Sequence, residues 1–247
     1  MGQGDKHLMT LEPCFEFFDD FFYFNSEKWL ARQASGVGAT ATIINAEDEI
    51  RGGVLALAVS DTNNHKFGIK LGGGEGGGSW KITKDSGKQL WYATKIRLLQ
   101  AEDVAMYVGL FNPEKITTVG KHMGLDDTGA PEFAAAPDGW TDGIYMRILT
   151  ATPDEIDFAV AKNMTETEVQ ANIVANDMAW HELGFHFDGV NTITPIIDRL
   201  AYPAHAVAAD AANFPDDLGL LPRFYIQTGE AAIKVLKADW IRVRQER

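Results

Sequence analysis

Along most of the chain apolar and polar residues alternate with a period of two, in short runs broken by turn-forming residues. The runs are 52–60, 66–71, 89–99, 104–111, 143–151, 155–163, 166–174, 179–189, 191–200, 222–230 and 233–245. The connectors DTNNH, QAED, TPD and GEAAI (229–233) each predict a hairpin turn between the runs they separate. Helical periodicity is nearly absent and no βαβ alternation appears, so the pattern predicts an all-β chain, an antiparallel β-sandwich or jelly roll.

Parity also predicts the faces. Leu183, Phe185 and Phe187 share one side and should face the core, with Glu182, His186 and Asp188 facing out. In the last run Ile241 and Val243 form the core pair, whereas upstream Leu236 and Ala238 occupy the opposite phase. A bulge near Asp239-Trp240 reconciles the two halves and leaves the side of Trp240 open. The aromatic stretch FEFFDDFFYF (15–24) reads as an opening strand packed into the sandwich with Asp19-Asp20 at a bend; the alternative is a ligand-stacking platform.

Three segments break the pattern: the glycine-rich GGGEGGGSW (72–80), the Gly-, Pro- and Asp-rich stretch 112–142, and the Ala-rich stretch 201–221. Segments this long are commonly functional or interface-forming. The glycine loop lacks the Lys-Ser/Thr ending of a phosphate-binding loop. The start of the chain, 1–14, has Met1, Leu8, Met9, Leu11 and Cys14 as its only clearly apolar residues, too few for a core, and is expected to be an extended arm on a single domain spanning 15–247.

Charge narrows the partners. Acids outnumber bases 35 to 22, a net charge of −13, which disfavours nucleic acid and anionic membranes. Cys14 is the sole cysteine, so neither an intrachain disulfide nor a cysteine metal cluster forms, and a reducing compartment is expected. No basic and apolar leader opens the sequence, and the Asn163-Met164-Thr165 sequon is read as chance.

The candidate chemistry lies in DEIDFAV (154–160). Retaining β-glucanases of the laminarinase type carry Glu-x-Asp-x-Glu, or the same with one more spacer, on a single strand. The outer carboxyls then act as nucleophile and acid/base about 5 Å apart. Glu155 and Asp157 match the first two positions, but the third is Ala159 or Val160, neither of which carries a proton. The expectation is therefore no enzyme, with Asp154 and Glu155 in a hairpin turn and Asp157 on its solvated face. Glu182, His186 and Asp188 share a strand face, but four residues of strand span about 13 Å, too far for one metal unaided. Asp126-Asp127 and Asp216-Asp217 are loop carboxylates without EF-hand spacing. No catalytic, cofactor-binding or metal-ligating residue is assigned.

The segments FFDDFFYFNSEKW, WHELGFHFDGVNTITPIID and LLPRFYIQTGEAAIKVLKADWIRVRQER resemble a group of tailed-bacteriophage proteins encoded among virion structural genes. The resemblance runs from about residue 15 to 247 and implies a concanavalin A-like (lectin/glucanase) jelly roll. It implies a capsid decoration (cement) protein on the virion surface, made in the host cytoplasm. The expected partners are the major capsid protein and sister copies, a trimer by analogy. The alternative is a carbohydrate-binding, lectin-like module of a head fibre or tail, whose sign would be exposed Trp or Tyr beside a Ca²⁺ site, with Trp80, Trp91, Trp140 and Trp180 as candidates.

Overall fold

The computed structural model describes residues 14–22, 27–34, 40–45, 53–59, 66–72, 78–100, 102–112, 142–149, 152–162, 165–202, 214–216 and 218–247. The arm up to residue 13, most of the excursion 112–142, Asp126-Asp127, Trp140 and Asp217 lie outside the described residues. Fifteen strands form among those described. They are β1 (Cys14–Asp19), β2 (Trp29–Ala34), β3 (Thr40–Asn45), β4 (Gly53–Val59), β5 (Lys66–Leu71), β6 (Leu90–Leu98), β7 (Val104–Phe111) and β8 (Gly143–Leu149). After them come β9 (Thr152–Lys162), β10 (Thr165–Ala175), β11 (His181–Phe187), β12 (Ile193–Ile197), β13 (Leu200–Ala201), β14 (Leu221–Thr228) and β15 (Lys234–Glu246).

Two antiparallel sheets pack face to face, as the alternation predicts. The eight-stranded sheet runs β13-β12-β11-β6-β15-β4-β3, with β1 also paired to β15. The seven-stranded sheet runs β10-β9-β8-β7-β14-β5-β2. Between them lies one large core containing Leu183, Phe185, Phe187, Ile241 and Val243, all fully buried. Phe185 stacks on Tyr92 of β6 at 5.2 Å and reaches Phe158 of the opposite sheet at 5.9 Å. Burial of one such aromatic stabilises the fold by roughly 1.5–3 kcal/mol.

The bulge in the last strand falls where the phase change requires it. Ala238 pairs with Ile96 and Trp240 with Lys95, leaving Asp239 as the extra residue. Trp240 is thereby turned outward, half-buried, beside Lys95, whose ammonium pairs with Asp239 at 2.9 Å. The two halves of β15 have different partners on one edge: Lys234 to Ala238 pair with β4, and Ile241 to Glu246 with β1.

The opening aromatic stretch divides its rings. Phe21 is buried and Phe17 packs on the core, while Phe18 and Phe22 are 54% and 70% exposed. Asp19 makes the bend: its carboxylate accepts from the Phe21 amide at 2.9 Å and the Trp29 indole at 2.6 Å, and pairs with Lys28.

Three connections read as hairpins are crossovers. β4 and β5, β6 and β7, and β14 and β15 are neighbours in sequence but belong to opposite sheets. Turn residues mark a chain reversal; whether the next strand pairs beside the last or crosses to the facing sheet, about 10 Å away, is decided by packing. The β8–β9 connection is a hairpin as predicted, and β11 and β12 also pair as a hairpin. There the stretch TPD lies within β9 or at its start, so Asp154 and Glu155 are strand residues and not turn residues.

Candidate functional site

Glu155 and Asp157 lie on the outer face of the seven-stranded sheet, the side away from the shared core. On β9, Ile156, Phe158 and Val160 face the core, which leaves Glu155, Asp157, Ala159 and Ala161 on the outer side. Asp157 is not solvated, as sequence reading expected, but 3% exposed. Its Oδ2 lies 3.4 Å from the Nε of Arg147, the residue directly across on β8, and its Oδ1 accepts from the Asn172 amide at 2.9 Å. Glu155 Oε1 accepts from the Asn172 side chain at 3.2 Å. Ala159, fully buried, occupies the position where a third carboxylate would stand.

The outer face carries more than this pair. β14, β7, β8 and β9 lie side by side, and their register places Tyr225, Tyr107, Arg147 and Asp157 in one line across four strands. The adjacent line holds Lys70, Arg223, Gly109, Tyr145 and Ala159. The ring of Tyr107 sits 5.6 Å from Tyr145 and 6.2 Å from Tyr225, and Phe111 stacks on Tyr145 at 5.0 Å. The Arg223 guanidinium lies 5.7 Å from the Phe111 ring centroid. Gly109 lets the two lines close up: a Cβ there would sit 2.2 Å from the Ile144 carbonyl oxygen and 2.7 Å from the Tyr145 Cβ. Together Tyr107, Phe111, Tyr145, Tyr225 and three alanines form a second apolar cluster, separate from the core.

Electrostatics follow from that burial. Desolvation, reinforced by Tyr107, pushes the Tyr145 phenol well above its ordinary range, although Arg147 draws it down. Tyr145 is therefore protonated at neutral pH and a weaker acid than a solvated phenol. These residues went unnoticed in sequence because each is the polar member of a mostly apolar run, as in GIYMRIL. The signal that would have found them is parity: Tyr145 and Arg147 oppose Ile144, Met146 and Ile148.

The other predicted candidates scatter. Glu182 is held by Arg199, whose Nε and Nη2 donate to its two carboxylate oxygens, each at 2.8 Å. His186 stacks on Trp91 at 4.9 Å and contacts Gln89 Oε1 at 2.9 Å. Asp188 Oδ1 accepts from the amides of Val190, Asn191 and Thr192, closing a turn. Asp216 pairs with Lys162. Trp80 is buried, whereas Trp91 and Trp180 are half-buried beneath the cations Arg244 and Lys95.

No protein-family model matches the sequence, and no curated protein matches it. Solved structures do resemble the fold. A family 16 glycoside hydrolase endo-glucanase from Bacteroides ovatus is similar at TM-score 0.59 and 13% identity, over 92% of this chain and 99% of that one. An endo-β-1,4-glucuronan lyase from Trichoderma reesei matches at 0.59 and 12%, over 92% and 94%. The Bacillus licheniformis β-glucanase matches at 0.52 and 12%, over 92% and 97%. The chain is thus a jelly-roll β-sandwich of the concanavalin A-like type. The comparisons correct the expectation of no enzyme, because this sandwich carries hydrolases and also a lyase. They lend no support to capsid decoration.

Proposed function

We propose that this jelly roll is a carbohydrate-active module and that the outer face of its seven-stranded sheet is the glycan site. The observation behind the reading is the line Tyr225, Tyr107, Arg147 and Asp157, flanked by Arg223 and Tyr145, on the face that the core does not use. Aromatic rings offer flat apolar surface to the C–H faces of sugar rings, and arginine forks and carboxylates bond their polar groups. The line crosses three interstrand spacings, about 14 Å, enough for a short oligosaccharide. The likeness to two glucanases and a glucuronan lyase supports the same ligand class. We prefer this role to the cement role, which the phage resemblance alone implied. The tyrosine rings are buried, so ligand entry must uncover them, and association is expected to be slower than the roughly 10⁵–10⁷ M⁻¹s⁻¹ of preformed surfaces.

The test is calorimetry with fragments of mixed-linkage β-glucan and of glucuronan, on the parent and on Tyr107→Phe/Tyr225→Phe. Removing two hydroxyls while keeping the rings should weaken binding roughly tenfold, by about 1 kcal/mol or more. Reducing-end release and the ultraviolet absorbance of an unsaturated product are followed in parallel, since hydrolysis yields the first alone and elimination yields both. Absence of binding to either glycan, or a double variant that binds as the parent does, refutes the assignment.

A further inference from the structure

A cleft of about 580 Å³ opens at one end of the sandwich, where β1 and the last residues of β15 run past the core. We propose that it is a second binding site, for a single carboxylated saccharide unit. None of its lining residues belongs to the seven-stranded sheet, so the proposal stands apart from the tyrosine face.

One wall is the ring of Phe15, 36% exposed and backed by buried Trp80 at 5.3 Å. Lys81 and Thr83 point outward on either side of the buried Ile82. Lys88 and Arg247 complete the cationic lining, with the Arg247 guanidinium 5.9 Å from the Phe15 ring centroid.

The cations are mounted on fixed backbone. The Gln245 amide clamps Lys81, donating to its carbonyl at 2.5 Å and accepting from its N–H at 3.3 Å. Glu246 does the same at Gln89: its N–H donates to the Gln89 carbonyl at 3.0 Å, and its carboxylate accepts from the Gln89 N–H at 3.1 Å. Lys81 and Lys88 are therefore held on a segment tied to β15. Neither they nor Arg247 form an ion pair among the described residues.

The side chains lining the cleft include three cations and one carboxylate, Glu246, already hydrogen-bonded. That local positive charge sits on a chain of net charge −13. A small anion is attracted over the short range at which the cleft dominates, whereas a long polyanion meets the repulsion of the whole protein. The size falls within the roughly 300–1,000 Å³ of small-ligand sites. An aromatic wall for a sugar ring, lysines for a carboxylate and the hydroxyls of Ser79 and Thr83 for sugar hydroxyls select an acidic monosaccharide unit over a neutral one.

The test is an amide-resolved NMR titration of the full chain with D-glucuronate, D-glucose and inorganic phosphate. Glucuronate should shift the amides of 79–89 and 245–247 and bind roughly tenfold or more tightly than glucose, the ratio expected of one charge-assisted contact. Lys81→Ala/Lys88→Ala should remove that preference with an unchanged melting temperature, because both side chains are exposed. Phe15→Ala should weaken both sugars. Equal binding of glucose and glucuronate, or full affinity in the lysine variant, would overturn the proposal; so would phosphate acting as strongly as glucuronate, which marks a general anion patch. Tyr107→Phe should leave these shifts unchanged, so each site succeeds or fails separately.

Discussion

Replacing Arg147 with methionine strips a buried carboxylate of its counter-charge. The side chains of Arg147 and Asp157 are 6% and 5% exposed, and their separation of 3.4 Å makes the contact an ion pair more than a hydrogen bond. After Arg147→Met, Asp157 keeps the Asn172 amide but loses its cation in a site closed to water. Breaking one side of such a pair costs about 3–5 kcal/mol. At ~2.1 cal/mol/K per residue, this chain unfolds with an entropy of roughly 0.5 kcal/mol/K, so the melting temperature should fall by about 6–10 °C. Arg147→Met/Asp157→Leu should recover most of that loss, because no unpaired charge remains and the group left without its acceptor is the neutral, part-buried Asn172 backbone N–H. The assay is thermal and urea unfolding of the parent, both single variants and the double. A coupling energy below ~0.5 kcal/mol, or a single variant melting within about 2 °C of the parent, would refute the argument that this pair is an energetically coupled unit.

Four further outcomes are expected. Phe185→Ala, which empties a fully buried position between the sheets, should cost about 3–5 kcal/mol in urea unfolding; a variant as stable as the parent would mean the faces of β11 are misassigned. Gly109→Ala should fold poorly or melt far below the parent, because the added Cβ meets backbone at 2.2 Å and no side chain can yield. Glu155→Gln keeps its shape, and among the described residues the carboxylate's one side-chain hydrogen bond is to the exposed Asn172 side chain, so stability should change by less than ~0.5 kcal/mol and any change in turnover would report on chemistry. His181 sits 3.0 Å from both Asp177 and Asp198; burial lowers its pKa, but hydrogen bonds and charge from the two carboxylates outweigh this and raise it. Its stabilisation is therefore complete below the ordinary value of about 6.5 and lost as pH rises through the raised value. Melting curves across that range should show this loss in the parent and not in His181→Gln.

What the sequence by itself determined is local. Alternation along single runs settled which residues of β11 and β15 face the core, and the phase change at Asp239 located the bulge, because side-chain parity belongs to one strand. Positions 159 and 160, alanine and valine, likewise leave the third carboxylate of a laminarinase-type set missing at either spacing, which is legible before any strand is paired. Only the tertiary structure decided which strands are neighbours. DTNNH, QAED and GEAAI read the same whether the chain turns back beside itself or crosses to the other sheet, since core packing makes that choice. The line of Tyr225, Tyr107, Arg147 and Asp157 comes from four strands, with β14 paired beside β7 though far from it in sequence. Asp157 reads as solvated from its own run, yet it is buried, with Arg147 opposite it on β8 as its counter-charge. The basic cleft likewise forms only where β1, the segment 79–89 and the end of β15 meet. Long-range pairing has no signature within a single run, so both proposed sites emerged only when the strands were assembled.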